Sequence, residues 1–177
     1  CLFYYIFFME TPYKFIQPVF VDNRGSFTPI KLDPKWVQSN ISINEQIFVF
    51  RGLHYQSGDM AQTKQLSVIQ GRIVDFVVNI NIDSPDFGKV ETFVLSAGEA
   101  VHVPKGYAHG FLTLKSNTIV NYLVDEVYSP SSEGCIKWDS VEEVKEVINN
   151  YMRGFTFKLV ISEKDNEGIT LEEYKKL

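Results

Sequence analysis

Leu66-Ser-Val-Ile-Gln-Gly-Arg-Ile-Val-Asp-Phe-Val-Val-Asn-Ile-Asn-Ile82 carries the pattern that decides the fold. Two runs rich in Val, Ile and Phe, 66–69 and 73–82, flank Gly71 and read as strands joined by a turn. The same pattern repeats outward. Runs 90–95 and 100–103 flank Ala97-Gly98, and runs 111–114 and 118–124 flank Ser116-Asn117. Upstream, 46–50 is a further candidate strand. Short β-rich runs punctuated by Gly, Asn, Asp and Pro predict an all-β sandwich or barrel. Helix is expected only near the end of the chain. Val141, Val144, Val147, Ile148 and Tyr151 fall at helical spacing. Ser140 followed by Glu143 predicts a capping box, and Gly154 suits the helix exit. Thr170 and Glu173 predict a second short helix. Both helices are expected to cover the outside of the barrel.

Composition narrows the function classes. A chain of 177 residues that is 45% hydrophobic supports one core, so 9–177 is expected to form a single domain. The net charge of -5 and the lack of a polybasic run argue against nucleic acid and anionic membranes as partners. Two cysteines, Cys1 and Cys135, do not make a disulfide framework, which points to a reducing cytoplasm. Cys135 has no neighbour in sequence that would activate it as a nucleophile. Residues 1–8 are apolar but too short to span a bilayer, and they lack a signal peptide's basic start. Met9 reads as a natural start. That makes 1–8 an upstream extension or, alternatively, an added strand packed on a partner subunit.

The polar residues that interrupt apolar runs hold the chemistry. His54 lies in Phe50-Arg-Gly-Leu-His-Tyr-Gln56. Lys64 follows ten residues on, Asp75 sits inside a run of Val and Phe, and His109 lies in Pro104-Lys-Gly-Tyr-Ala-His-Gly-Phe111. In an antiparallel barrel alternate residues point into the lumen, so such groups line a cavity or face water. The bland alternatives are a structural histidine at 54 and a surface Lys64–Asp75 ion pair of little energetic value. Metal binding is a third reading. However, Tyr55 and Gln56 break the His-x-His pair that small barrels use. A three-histidine site would also need His102, which alternates with Val101 and Val103 and reads as solvent-facing.

Several blocks together resemble the dTDP-4-dehydrorhamnose 3,5-epimerase family, a branch of the cupins. They are Asp22-Asn-Arg-Gly-Ser-Phe27, Gln38-Ser-Asn-Ile-Ser42, Arg51-Gly-Leu-His-Tyr-Gln56, Asp83-Ser-Pro-Asp-Phe-Gly88, Pro104–Phe111, Cys135-Ile-Lys-Trp-Asp139 and Ser162-Glu-Lys-Asp165. Their order and spacing are similar to the family's. The resemblance implies a cupin-type double-stranded β-helix, or jelly-roll barrel, usually a homodimer, with no metal and no organic cofactor. It implies His54 as general base oriented by Asp165, Lys64 on the enolate oxygen with Asp75 beside it, and Tyr122 as general acid. Tyr128 matches a second active-site tyrosine. Arg24, Arg51 and His109 resemble a diphosphate-binding set, and Gln38 and Asn40 resemble pocket-lining residues. Phe27, Gln56 and Trp138 stand in the matched blocks and are expected at the substrate. Arg24 is expected to reach the neighbouring subunit's site.

The residue types suit the chemistry implied. Epimerisation next to a ketone removes a C–H proton from one face and returns one to the other. Histidine is partly neutral near pH 7 and serves as base. A preorganised cation stabilises the enolate, and arginine is a bidentate partner for phosphate oxygens. The sequence departs from the family at Pro29, at Asn79 and Asn81, and over 141–158, which leaves the nucleotide, the sugar and the number of inverted carbons open. A 4-keto-sugar ketoisomerase, a non-catalytic sugar-nucleotide binding module and a metal-dependent cupin oxygenase are the rival readings.

Overall fold

A computed structural model of the chain describes residues 10–30 and 32–177. The expectations for residues 1–8 lie outside the described residues. Ten strands form two five-stranded antiparallel sheets. The first has the order β1 (Tyr13–Ile16), β9 (Glu99–Val103), β6 (Lys64–Gln70), β11 (Thr118–Val124), β4 (Gln38–Asn44). The second has the order β12 (Glu133–Cys135), β5 (Phe50–Gln56), β10 (Tyr107–Thr113), β7 (Arg72–Asn79), β8 (Val90–Ser96). A separate hairpin pairs β2 (Phe20–Asp22) with β3 (Gly25–Phe27). The all-β jelly-roll expectation is met.

Two layers of core result. Between the sheets, Leu66, Val68, Ile73, Val77, Val101, Phe111 and Val120 pack together. On the outer face of the second sheet, Phe50, Val74, Phe76 and Leu112 meet Val144 and Ile148 of helix α1 (Glu142–Met152). Burying a side chain of this size contributes roughly 1.5–3 kcal/mol. Strand β7 is therefore buried on both faces, which explains why 73–78 reads as apolar throughout except at Asp75. Alternation puts Asp75 on the inner face with Ile73 and Val77.

Several boundaries differ from the sequence reading, each for a local reason. Residues 46–48 form a turn, Val49 makes an isolated bridge to Val160, and the strand begins only at Phe50. Phe48 adopts a left-handed φ of 60°, which breaks extended structure, and its ring is 2% exposed. Its hydrophobicity reports burial. Strand β7 stops at Asn79 because the Asn79 and Asn81 side chains accept from the backbone N–H groups of Asn81 and Asp83 and fold the chain into successive turns. The capping box at Ser140 does not form. Ser140 Oγ instead donates to the Lys137 carbonyl and accepts from Leu171 N, while Val141 caps α1 without a side-chain bond. Gly154, with φ of 84°, does follow the helix end. The Thr170–Glu173 box forms in both directions at the start of α3 (Leu171–Tyr174). Its partner α2 (Glu163–Asn166) is capped by Ser162.

One irregularity positions the site. His54 pairs with His109 and Arg51 with Phe111, so β5 carries an extra residue opposite β10. The bulge falls at Gly52, where φ is 136°. A Cβ there would lie 2.5 Å from Gly110 Cα and 2.9 Å from the His109 carbonyl. We expect Gly52→Ala to destabilise the fold by at least about 1–3 kcal/mol, the scale of backbone strain at such positions. A urea midpoint unchanged from wild type would refute this.

Candidate active site

A cluster of polar side chains surrounds a cavity of about 380 Å³ between the two sheets. His54 enters it from β5 in the second sheet, and Tyr122 enters from β11 in the first. His54 Nε2 lies 2.8 Å from Asp165 Oδ1. Asp165 is 5% exposed, and its second oxygen accepts from Gly52 N at 3.1 Å. Burial pushes its carboxyl upward, but the hydrogen bonds from His54, Gly52 and Ser162 outweigh this and hold it below the ordinary carboxylate range. The imidazole is thus fixed by an anionic partner on the side away from the cavity, which leaves Nδ1 to face chemistry.

Lys64 reaches from β6 across to the His54 carbonyl, with Nζ at 3.3 Å. It is 9% exposed, and desolvation pulls its ammonium down to about 8, against the opposing pull of Glu133 and Asp75. Asp75 is fully buried and joins His109 Nε2 at 2.8 Å, its other oxygen having no partner. The surface ion-pair reading of Lys64 and Asp75 is therefore wrong, because both sit inside. Burial raises the Tyr122 phenol above its usual range, with Arg51 opposing and Glu133 reinforcing, so it remains a proton donor at neutral pH.

Arg51 lines the same cavity and is held by Asn44 through Nε at 2.8 Å. Both Arg51 and His54 face inward only because of the extra residue at Gly52; plain alternation sends residues three apart to opposite faces. Gln38 and Asn40 bond each other at 2.7 Å along the wall. Gln56 also lines it, yet its amide is occupied by the backbone of Met60, Val127 and Ser129, so it shapes the loop above the cavity. Tyr128 lies at the rim, where its hydroxyl donates to Glu133.

Trp138 and His102 come out differently from expectation. Trp138 is not at the cavity. It packs on Phe50 with ring centres 6.0 Å apart, in the layer between the second sheet and α1. Arg24 and Phe27 sit on the β2–β3 hairpin, away from this chain's own cavity, and Arg24 pairs with Asp22. His102, expected to face solvent, is 3% exposed beneath Tyr13, whose ring stacks on it at 5.0 Å.

Two residues escaped sequence reasoning. Glu133 lines the cavity, and Lys164 pairs with it at 2.5 Å. Desolvation pushes Glu133 up, but Lys164 and Tyr128 overcome that and keep it ionised. A Glu in a Ser-rich turn gives no periodic signal. Cys135 stands opposite His54 on β12. Burial and the nearby Asp165 push its thiol up to about 12, which removes it as a nucleophile at neutral pH.

An imidazole held by a buried carboxylate shares a cavity with a phenol between two jelly-roll sheets, a setting suited to proton transfer. Comparison with known proteins gives the particular lineage. Residues 13–173 match the family model described as dTDP-4-dehydrorhamnose 3,5-epimerase. The chain is 35% identical over 173 residues to the Sinorhizobium fredii enzyme of that name, covering 90% of this chain and 85% of the relative. The Bacillus anthracis epimerase, solved with TDP and PPi bound, superposes with a TM-score of 0.75 at 32% identity, covering 90% and 93% of the two chains. The Legionella pneumophila enzyme, in complex with dTDP-4-keto-L-rhamnose, gives 0.76 at 29% identity over 91% and 88%. The chain belongs to the dTDP-4-dehydrorhamnose 3,5-epimerase family, and so is an isomerase that epimerises a nucleotide-linked 4-keto-6-deoxy sugar. Among the described residues no helix is long and apolar enough to cross a membrane.

Proposed function

We infer that His54 removes the proton beside the C4 ketone, at C3, C5 or both, of a dTDP-linked 4-keto-6-deoxyhexose. The carrying observation is that His54 and Tyr122 open into one cavity from opposite sheets. As the C–H bond breaks, its electron pair moves onto the carbonyl oxygen. Lys64 is the cation next to the base and stabilises that enolate. The carbon then takes a proton from Tyr122 on the other face. Asp165 holds the His54 ring and balances the imidazolium that forms. His109 and Arg51 take the diphosphate, with His109 oriented by Asp75. Gln38, Asn40 and Tyr128 border the remainder of the substrate.

The protein acts as a homodimer in this reading. The hairpin bearing Arg24 exposes Phe20 at 61%, Val21 at 77% and Phe27 at 66%, a ribbon that a second copy would cover. Arg24 and Phe27 then contribute to the partner's site. Sedimentation of the purified protein as a monomer at assay concentration would contradict this.

Incubating the protein with a 4-keto sugar nucleotide in deuterated water, followed by NMR, tests the reaction and its positions together. Deuterium at C3 or C5 with inverted configuration is expected. A displaced carbonyl would mean ketoisomerisation instead. In Tyr122→Phe, solvent exchange at the first carbon should persist while net inversion falls by about 10²-fold or more. Unchanged inversion in that variant would assign the acid elsewhere.

A further inference from the structure

Behind the cavity wall, His54 belongs to a second cluster of ligating groups. Pairing of β12 with β5 sets Cys135 opposite His54, and α2 brings Asp165 onto the same ring. Cys135 Sγ, a ring nitrogen of His54 and a carboxylate oxygen of Asp165 all lie within 4.8 Å of one another. Tetrahedral zinc, with bonds of about 2.0–2.3 Å, places its ligand atoms about 3.3–3.8 Å apart. Small side-chain rotations close that difference, since His54 and Cys135 are only partly buried. One sulfur, one imidazole nitrogen and one carboxylate oxygen suit a thiophilic divalent cation such as Zn²⁺, Co²⁺ or Cd²⁺, whereas Mg²⁺ and Ca²⁺ prefer oxygen throughout.

We propose that Cys135, His54 and Asp165 form an inhibitory site for a thiophilic divalent cation, whose occupation stops epimerisation. On binding, the Cys135 S–H bond gives its proton to solvent and its electron pair to the metal. The ion also takes the Asp165 oxygen and an imidazole lone pair, so His54 loses both its orienting partner and its freedom to cycle a proton. Cys135 contributes nothing to the uninhibited reaction, because its sulfur faces the Gly52 and Asp165 carbonyls. The inhibitory half of the proposal rests on His54 being the base; the binding half does not.

The test uses a Cys1→Ser background, in which Cys135 is the remaining thiol. Titration with Co²⁺ should produce a near-ultraviolet thiolate-to-cobalt charge-transfer band that saturates at one ion per chain. Adding Cys135→Ser should abolish it. Zn²⁺ should inhibit turnover reversibly, with activity restored by a chelator. Cys135→Ser should keep its basal turnover and need at least about tenfold more Zn²⁺, since loss of even an outer-sphere partner weakens a site by about 10–100-fold. No band in the Cys135-containing protein, or equal Zn²⁺ sensitivity with serine at 135, overturns the site. A saturating band with undiminished turnover would keep the metal site, overturn the inhibition and remove His54 as the base.

Discussion

His54→Ala lowers turnover by about 10²–10⁴-fold, the usual contribution of a positioned general base, and abolishes deuterium uptake from solvent. The loss is chemical, because His54 is partly exposed at the cavity wall and supports none of the apolar core. The melting temperature should therefore stay within a few degrees of wild type. Asp165→Asn should fall less in exchange rate but cost more stability. The carboxylate also accepts from Gly52 N and so fastens the bulge of β5 to α2. Exchange at the wild-type rate in His54→Ala, measured by NMR on the sugar ring, would end the assignment of the base.

Lys64→Met gives the second large effect and separates activity from stability. Removing a preorganised donor on a developing oxyanion typically costs about 2.7–4 kcal/mol of barrier, or about 10²–10³ in rate. Stability moves the other way. Burial lowers the ammonium from 10.5 to about 8 on folding, so the folded state disfavours the charged form. Below pH 8 this penalty is fully present. It shrinks as the pH rises from 8 toward 10.5, where the unfolded chain also loses the proton. At pH 7 the methionine variant should thus melt higher than wild type, with the gap closing at alkaline pH. Wild-type activity should also fall as the pH passes about 8 and Lys64 becomes neutral. In Lys64→Arg, which stays protonated, the residual activity should hold beyond that point. A melting temperature for Lys64→Met that drops at pH 7, or an alkaline limb unmoved by arginine, would contradict the role of the ammonium.

Much of the barrel was legible because strand signals are local. The runs around Gly71, Gly98 and Asn117 all became strands within a few residues of their expected ends, although each of these turns carries the chain from one sheet to the other instead of closing a hairpin. Strand β4 was missed since its polar residues face its cavity side and its apolar ones, Ile41 at 70% and Ile43 at 64%, lie exposed. The placement of Trp138 failed for the opposite reason. Its position in a matched block suggested the substrate, but α1 closes over that face and draws the indole under it.

The sequence alone determined the β-rich class, from short apolar runs and their turn residues, while His54, Lys64, Tyr122, His109 and Asp165 were expected at a site through the resemblance to the family's blocks. It did not determine which way those side chains point. Arg51 and His54 share a cavity only because the chain inserts one residue at Gly52 against Gly110, a contact between segments more than fifty positions apart. Asp165 meets His54 across 111 residues, and Glu133 acquires Lys164 across 31. Side-chain direction in a strand has a period of two, so a single bulge inverts it, and bulges are set by what the neighbouring strand allows.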